Sequence, residues 1–169
     1  MSDTNDAQTV DISVKSDVDL LNQGVAGEHL GIAAYEAALG SGLLDEATAS
    51  VARAFQSDHR QHAALLTEQI EARGFTPHKA LTAEEYARSY PPLASAADIT
   101  AFAVQLEAAA ARTYVAIVGE LQDRSLALLA AEIGGVEAQH WSTLLGASGA
   151  NPVPSPIIDV KAQDVSYGS

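Results

Sequence analysis

Four segments of the chain carry apolar side chains at intervals of three and four residues, and this period constrains the fold more than any other feature. The segments cover about residues 17–39, 44–73, 98–121 and 125–146. Such spacing is typical of amphipathic helices whose apolar stripe faces a core. Alanine, the strongest helix former, dominates the hydrophobic 47% of the chain. We therefore predict an all-α protein with one core.

The connections between these segments predict how the helices pair. Residues 40–42 (GSG) end the first helix, and residues 123–125 (DRS) form a tight reversal between the third and fourth. Residues 75–97, between the second and third helices, contain three prolines, which cannot sit in a continuous helix. We predict two helical hairpins joined by a long crossover, in which Thr82 caps a short helix. Asp98 is the predicted cap of the third long helix.

The ends of the chain differ in composition from the helical segments. Residues 1–16 are polar, apart from a short apolar alternation, and we expect a flexible N-terminal arm. Residues 17–146 form the predicted four-helix bundle. Residues 147–169 contain three further prolines, and we expect an extended C-terminal tail.

Charge and composition exclude several classes of partner. The formal charge of −13, from 22 acidic and 9 basic residues, repels phosphate backbones and anionic lipids. The sequence shows neither an export signal nor a long uninterrupted apolar run. It contains no cysteine, which excludes disulfides and thiolate ligands. We expect a cytoplasmic protein that binds neither nucleic acid nor membrane.

The two predicted hairpins repeat a spacing of polar side chains. Glu28 precedes Tyr35 by seven positions in the first helix, and Glu107 precedes Tyr114 by seven in the third. Seven residues are two helical turns, so each pair lies on one face. We interpret both tyrosines as packing residues, although their hydroxyls could also bond carboxylates around a metal.

A histidine follows in the second helix of each hairpin, three positions after another potential ligand. The second helix contains His59 and His62, and the fourth contains Glu137 and His140. From the first glutamate of a hairpin to its last histidine is 34 positions in one hairpin and 33 in the other. The hairpins are therefore interpreted as two copies of one unit.

Di-metal carboxylate bundles have a characteristic ligand pattern, in which a glutamate on one helix is followed by a Glu-x-x-His motif on the next helix. The pattern occurs once in each of the two hairpins of such a bundle. With this pattern and the segment GEHLGIAAYEAAL, residues 20–146 resemble the ferritin-like superfamily, both its rubrerythrin-type members and bacterial ferritin-like domains of unassigned function. The resemblance implies a ferritin-like four-helix bundle with a metal site. Its implied metal ligands are Glu28, His59, His62, Glu107, Glu137 and His140.

His59 departs from the family pattern, because it stands where the resemblance implies a second bridging glutamate. A carboxylate can hold two metals at once, whereas a neutral imidazole offers one lone pair to one metal. The three glutamates also cannot neutralise two divalent cations. The arrangements that stay open are one ion on Glu107, Glu137 and His140, one ion on Glu28, His59 and His62, and an unequal pair.

These residues support two interpretations of function. The first is a metal-binding protein with a His-substituted di-metal site, an iron- or manganese-dependent oxidoreductase or ferroxidase-like protein that uses oxygen or peroxide. It would hold one or two divalent ions, iron first, with manganese or zinc as alternatives. The second is a metal-free scaffold or interaction module, in which Glu–His hydrogen bonds fill a degenerate site. Because ferritin-like bundles often pair along a helical face, we also expect a homodimer.

Overall fold

The computed structural model describes residues 3–160, with side chains for residue 14 and for residues 16–160. Within residues 3–160 the regular structure is helical, without strands, which confirms the predicted all-α class. The helices are α1 (Asp3–Gly40), α2 (Glu46–Ala72), α3 (Ala83–Ala87), α4 (Ala96–Glu120) and α5 (Arg124–Ala147). The long helices correspond to the four predicted segments, and α3 lies in the crossover.

Polar side chains cap α2, α3, α4 and α5 at their first turns. Thr82 and Glu85 form a capping box at the start of α3, which confirms the short helix predicted in the crossover. The cap of α4 is Ser95, whose hydroxyl accepts from the N–H of Asp98 at 3.1 Å. The prediction of Asp98 as the cap is wrong. Asp98 lies in the first turn of α4, where its carboxylate accepts a hydrogen bond from the hydroxyl of Ser95. The negative charge of this carboxylate also interacts favourably with the positive end of the helix dipole.

α1 is longer than predicted, because the helix begins at Asp3 and not at Asp17. No glycine or proline occurs between residues 3 and 23. Nothing in the segment predicted as a flexible arm therefore interrupts the helical hydrogen bonds. The first two residues lie outside the described residues.

α5 ends at Ala147, close to the predicted boundary. Residues 148–160 form turns and irregular chain. Residues 161–169, the rest of the predicted tail, lie outside the described residues.

The long helices pack as two hairpins, α1 with α2 and α4 with α5, and α1 also contacts α4. Two apolar clusters form the core. One consists of Val18, Leu21, Val25, Leu66, Ile70, Tyr114, Ile117, Leu126, Ala130 and Ile133. The other consists of Ala34, Tyr35, Ala52, Phe55, Phe102, Ala103 and Leu106, with Leu144 packed against it. On each long helix the candidate ligands lie between these clusters, so the two clusters enclose a polar layer.

Among the described residues, α4 is long and apolar enough to cross a membrane, judged by length and composition only. Its inner face carries the buried Glu107 and packs against α5 and α1. We therefore interpret α4 as a core helix of the bundle.

Asp17 joins α1 to the turn between α4 and α5. Its side chain is 3% exposed, and its carboxylate accepts from the N–H groups of Gln122 at 2.9 Å and Asp123 at 2.8 Å. Asp123 in turn caps α5 by accepting from the N–H of Ser125 at 2.8 Å. One buried carboxylate therefore fixes where the second hairpin turns relative to the first.

Asp17→Asn is expected to lower the free energy of unfolding by about 1–3 kcal/mol, because the amide keeps one acceptor oxygen and loses the charge. Urea unfolding of the purified protein measures the change. Asp19→Asn is the matched control, since Asp19 is exposed on the same helix and should change stability by less than about 0.5 kcal/mol. Equal effects of the two substitutions would contradict the role of Asp17.

Candidate metal centre

The six predicted ligands are all buried in the polar layer. The exposed fractions are 0% for Glu107 and Glu137, 1% for His59, 2% for Glu28, 3% for His140 and 7% for His62. Carboxylates are almost never buried to this extent unless they are paired or bind a cation. The structure therefore brings together every site residue named from the sequence, and their surroundings show how the charge is balanced.

One half of the layer contains Glu28, His59, His62 and Glu137. Nδ1 of His59 lies 2.7 Å from Oε2 of Glu28, and Nδ1 of His62 lies 2.9 Å from Oε1 of Glu137. Nδ1 of His62 also lies 3.5 Å from the same oxygen of Glu28. One donor atom from each residue falls within 4.8 Å of all the others, so this group could hold a metal ion.

The other half contains His59, Glu107, Glu137 and His140. Nε2 of His59 lies 3.3 Å from Oε1 of Glu107, and Nδ1 of His140 lies 3.4 Å from Oε2 of Glu107. These four residues also supply donor atoms within 4.8 Å of one another. Glu137 belongs to both halves, because its Oε1 faces His62 and its Oε2 lies 3.8 Å from Nδ1 of His140.

Several buried polar atoms of the layer have no hydrogen-bond partner. They are both oxygens of Glu137, Oε2 of Glu107, and Nδ1 of His62 and of His140. The 2.9 Å between His62 and Glu137 is short enough for a hydrogen bond, but the angles do not fit one. Oxygen and nitrogen atoms that converge without bonding each other are arranged as ligands around a cation are. The donor set therefore fits a divalent metal.

Tyr35 and Tyr114 connect the hairpins through the carboxylates. Tyr35 on α1 donates its O–H to Glu107 on α4, and Tyr114 on α4 donates its O–H to Glu28 on α1. The interpretation of both tyrosines as packing residues is therefore incomplete, although each ring also belongs to an apolar cluster. The two-turn spacing places each tyrosine on the correct face, but it does not show that its hydroxyl reaches the other hairpin.

Neighbouring charges outweigh burial in the first half of the layer. Burial raises the pKa of Glu28, but the hydrogen bond from His59 and the nearby imidazole of His62 hold this pKa below its ordinary value. Burial lowers the pKa of His62, but the close carboxylates of Glu137 and Glu28 raise it to about 9. These shifts favour the ionised carboxylate of Glu28 and the protonated imidazole of His62 at neutral pH.

The second half of the layer shows the same balance. Burial raises the pKa of Glu107, but the nearby imidazole of His140 and the hydrogen bond with His59 hold it well below its ordinary range. Burial lowers the pKa of His140, but Glu107 and Glu137 raise it to about 9. For Glu137 burial prevails and the pKa is raised. A metal ion would have to displace protons from the imidazoles, because only a neutral imidazole ligates.

Asp58 holds the outer nitrogen of His140. Its Oδ2 lies 3.1 Å from Nε2 of His140, and the ring of Phe55 stacks on the imidazole with 3.9 Å between ring centroids. A carboxylate bonded to the second nitrogen of a histidine fixes its tautomer and raises its basicity. This arrangement leaves Nδ1 of His140 to face the layer.

Gly31 makes the space that His59 occupies. A Cβ atom at Gly31 would lie 2.9 Å from both Cε1 and Nε2 of the His59 ring, closer than packed atoms come. The ring is 1% exposed and stacks on Tyr35 with 5.6 Å between centroids, so it cannot move aside. The sequence shows a glycine in a helix but not that the opposite imidazole requires it.

Gly31→Ala is expected to lower the free energy of unfolding by about 1–3 kcal/mol through overpacking against His59. Gly27→Ala is the control one helical turn earlier, where a Cβ meets nothing within 4 Å. That substitution should raise stability by about 0.5–1 kcal/mol, the gain of alanine over glycine in a helix. Urea unfolding measures both changes, and a stabilising Gly31→Ala would contradict the tight fit.

Comparisons with known proteins support the ferritin-like helical fold. The sequence model of the ferritin-like domain matches residues 16–162. A solved structure of a conserved hypothetical protein, rv2844, from Mycobacterium tuberculosis superposes with a TM-score of 0.68 at 21% identity, covering 79% of this chain and 97% of that chain. At that identity the likeness shows the fold alone. No curated protein matches the sequence significantly. Because the family match covers most of its length, the chain belongs to the ferritin-like domain family.

Proposed function

We propose that this protein binds a divalent cation in the polar layer, with iron as the first choice. The observation that carries the proposal is the set of buried atoms without hydrogen bonds, above all the two oxygens of Glu137 and the inward nitrogens of His62 and His140. Mixed oxygen and nitrogen ligands suit ferrous iron, manganese and zinc. Membership of a family whose bundles bind metals between facing helices supports the same conclusion.

His59 limits the number of ions. Its Nδ1 faces Glu28 in one half of the layer, and its Nε2 faces Glu107 in the other. A neutral imidazole has one lone pair and one N–H, so His59 can ligate in one half only while it donates to the carboxylate of the other. Three carboxylates also leave the charge of two divalent ions uncompensated. We therefore propose one tightly bound ion per chain.

Iron bound here would supply one-electron chemistry toward oxygen or peroxide, as an oxidoreductase or ferroxidase-like protein requires. The chain itself holds the carboxylates and their protons in place. Burial and the charges of Glu107 and Glu28 raise the pKa of Tyr35 and of Tyr114 well above 10. Both hydroxyls therefore stay protonated, and each keeps donating to the carboxylate that it orients.

A metal-free scaffold is the second candidate, and His59 is the observation that favours it. Its two ring nitrogens lie 2.7 Å from Glu28 and 3.3 Å from Glu107. Burial lowers the pKa of His59, but hydrogen bonds to Glu107 and Glu28 raise it well above the ordinary value. A doubly protonated His59 would donate to both carboxylates and join the two hairpins without an ion.

Two further expectations remain proposals. A cytoplasmic location is consistent with the acidic composition. A homodimer is supported by exposed apolar side chains such as Leu43, 41% exposed, and Leu128, 61% exposed, which an interface could cover.

Protein purified without chelator is expected to contain stoichiometric metal and to melt at a higher temperature when ferrous, manganous or zinc ions are added. A ligand that binds only the folded state stabilises it by about 2.7 kcal/mol at one hundred times its Kd. Glu137→Gln should remove most of this shift. Glu120→Gln is the control, because Glu120 is exposed near the end of α4. Elemental analysis and thermal melts measure both effects, and a wild type without metal or shift would favour the scaffold.

His59→Glu is expected to raise the capacity for ferrous ions from about one to about two per chain, because it adds a second bridging carboxylate and a fourth negative charge. His59→Gln is the neutral control, which should not raise the capacity. Anaerobic titration followed by elemental analysis measures the number of ions. A wild-type protein that already binds two ions with equal affinity would contradict the single-ion proposal.

A further inference from the structure

A cavity of about 160 Å³ between α1 and α4 reaches the polar layer from the surface. At its outer end lies the exposed Gly27, with the half-buried Ala109 and Ala110 of α4 beside it. At its inner end lie the buried Glu28 and His59. The cavity therefore joins solvent to the half of the layer that these two residues form, and we call it the α1–α4 slot.

The lining of the α1–α4 slot consists mostly of small or apolar side chains and contains no lysine or arginine. Besides the residues already named, Gly24, Leu30, Leu106, Tyr114, Gln23 and Thr113 line it. At the inner end Nδ1 of His59 lies 2.7 Å from the carboxylate of Glu28, so these two side chains already pair with each other and leave no charge free for an entering ion. The outer part of the slot also offers no carboxylate that would attract a cation. The lining favours an uncharged molecule over an ion of either sign.

A second cavity, between α2 and α5, has the opposite character. Its volume is about 440 Å³, and its lining includes the carboxylates of Asp58 and Glu132 as well as His62. Carboxylates at an opening raise the local concentration of cations. The two openings therefore differ in the charge of the molecules that they favour.

We propose that the α1–α4 slot admits a small uncharged molecule to the side of the layer formed by Glu28 and His59. The proposal rests on the proposed function, in which an uncharged oxidant must reach a buried metal ion. The size is adequate, because engineered apolar cavities of about 150 Å³ bind benzene or xenon. Uncharged molecules also lose little solvation free energy when they enter such a passage, whereas ions lose much.

Gly27 is the position at which the slot can be closed without disturbing the fold. A Cβ there meets nothing within 4 Å, so a larger side chain can be accommodated on the exposed helix surface. Leucine at this position would extend over the outer end of the slot. Gly119 on α4 is the matched control, because it is also exposed and helical with no atom near its Cβ, and it does not line the slot.

The test uses the full chain in two forms. Crystals of chelator-treated protein are pressurised with xenon, and the xenon is located by anomalous scattering. Protein loaded with ferrous iron is mixed with nitric oxide, and binding is followed by stopped-flow absorbance. Gly27→Leu should remove xenon from the slot and slow nitric oxide binding by roughly tenfold or more, as a closed passage does. Gly119→Leu should behave as wild type in both, and all three proteins should take up the same amount of iron.

Two results would overturn the proposal. They are wild-type crystals without xenon between α1 and α4, and an unchanged rate of nitric oxide binding in iron-loaded Gly27→Leu protein. A wild-type protein that takes up no iron would contradict the proposed function but not the proposal for the slot. In that case the xenon positions in metal-free crystals alone decide whether the slot admits an uncharged molecule.

Discussion

The burial of three carboxylates and three imidazoles in one layer is the constraint on which the rest of the structure depends. An unpaired carboxylate inside an apolar bundle costs several kcal/mol, so these charges must be neutralised within the layer. Two sources of positive charge are possible, namely protons on the imidazoles or a divalent cation. The raised pKa values of His62 and His140, both about 9, describe the first state. The atoms of Glu137 without hydrogen bonds indicate that protons alone leave the layer incompletely satisfied.

The layer also sets how the two hairpins meet. The apolar clusters on either side are built of aliphatic and aromatic side chains, whose burial has no preferred direction. The bonds from Tyr35 to Glu107 and from Tyr114 to Glu28 do not tolerate shifts along the helix axes, because each joins one hairpin to the other at a single height. The duplicated hairpins therefore exchange reciprocal hydrogen bonds across the layer. We infer that this exchange gives the bundle its register, while the apolar clusters give most of its stability.

The sequence predicts the helices and the six clustered residues, because both depend on local periods. Apolar spacing fixes the helical faces, and the repeated Glu and His positions fall on the same faces in both hairpins. A residue whose role depends on a contact with a residue far along the chain cannot be recognised from the spacing of side chains within one helix. The sequence does not show that Gly31 packs against His59, which is what requires a glycine there. It also does not show that the carboxylate of Asp17 accepts from the turn between α4 and α5. The polar composition of residues 1–16 predicts an arm, but α1 begins at Asp3, because no glycine or proline interrupts the helix before Gly24.

His59 joins the charge balance to the chemistry. A glutamate at this position would add a negative charge and a second bridging carboxylate. A neutral imidazole instead adds one nitrogen that accepts and one N–H that donates. Its Nδ1 and Nε2 meet Glu28 and Glu107, which belong to different hairpins and to different halves of the layer. If one ring nitrogen of His59 binds an ion, the other nitrogen carries the proton and donates to the carboxylate that it faces. An ion in one half of the layer would therefore fix the hydrogen bond of His59 in the other half. Under the proposed function, His59 would therefore couple the two halves of the layer in a way that two bridging carboxylates would not, and a single ion would be the arrangement that satisfies both.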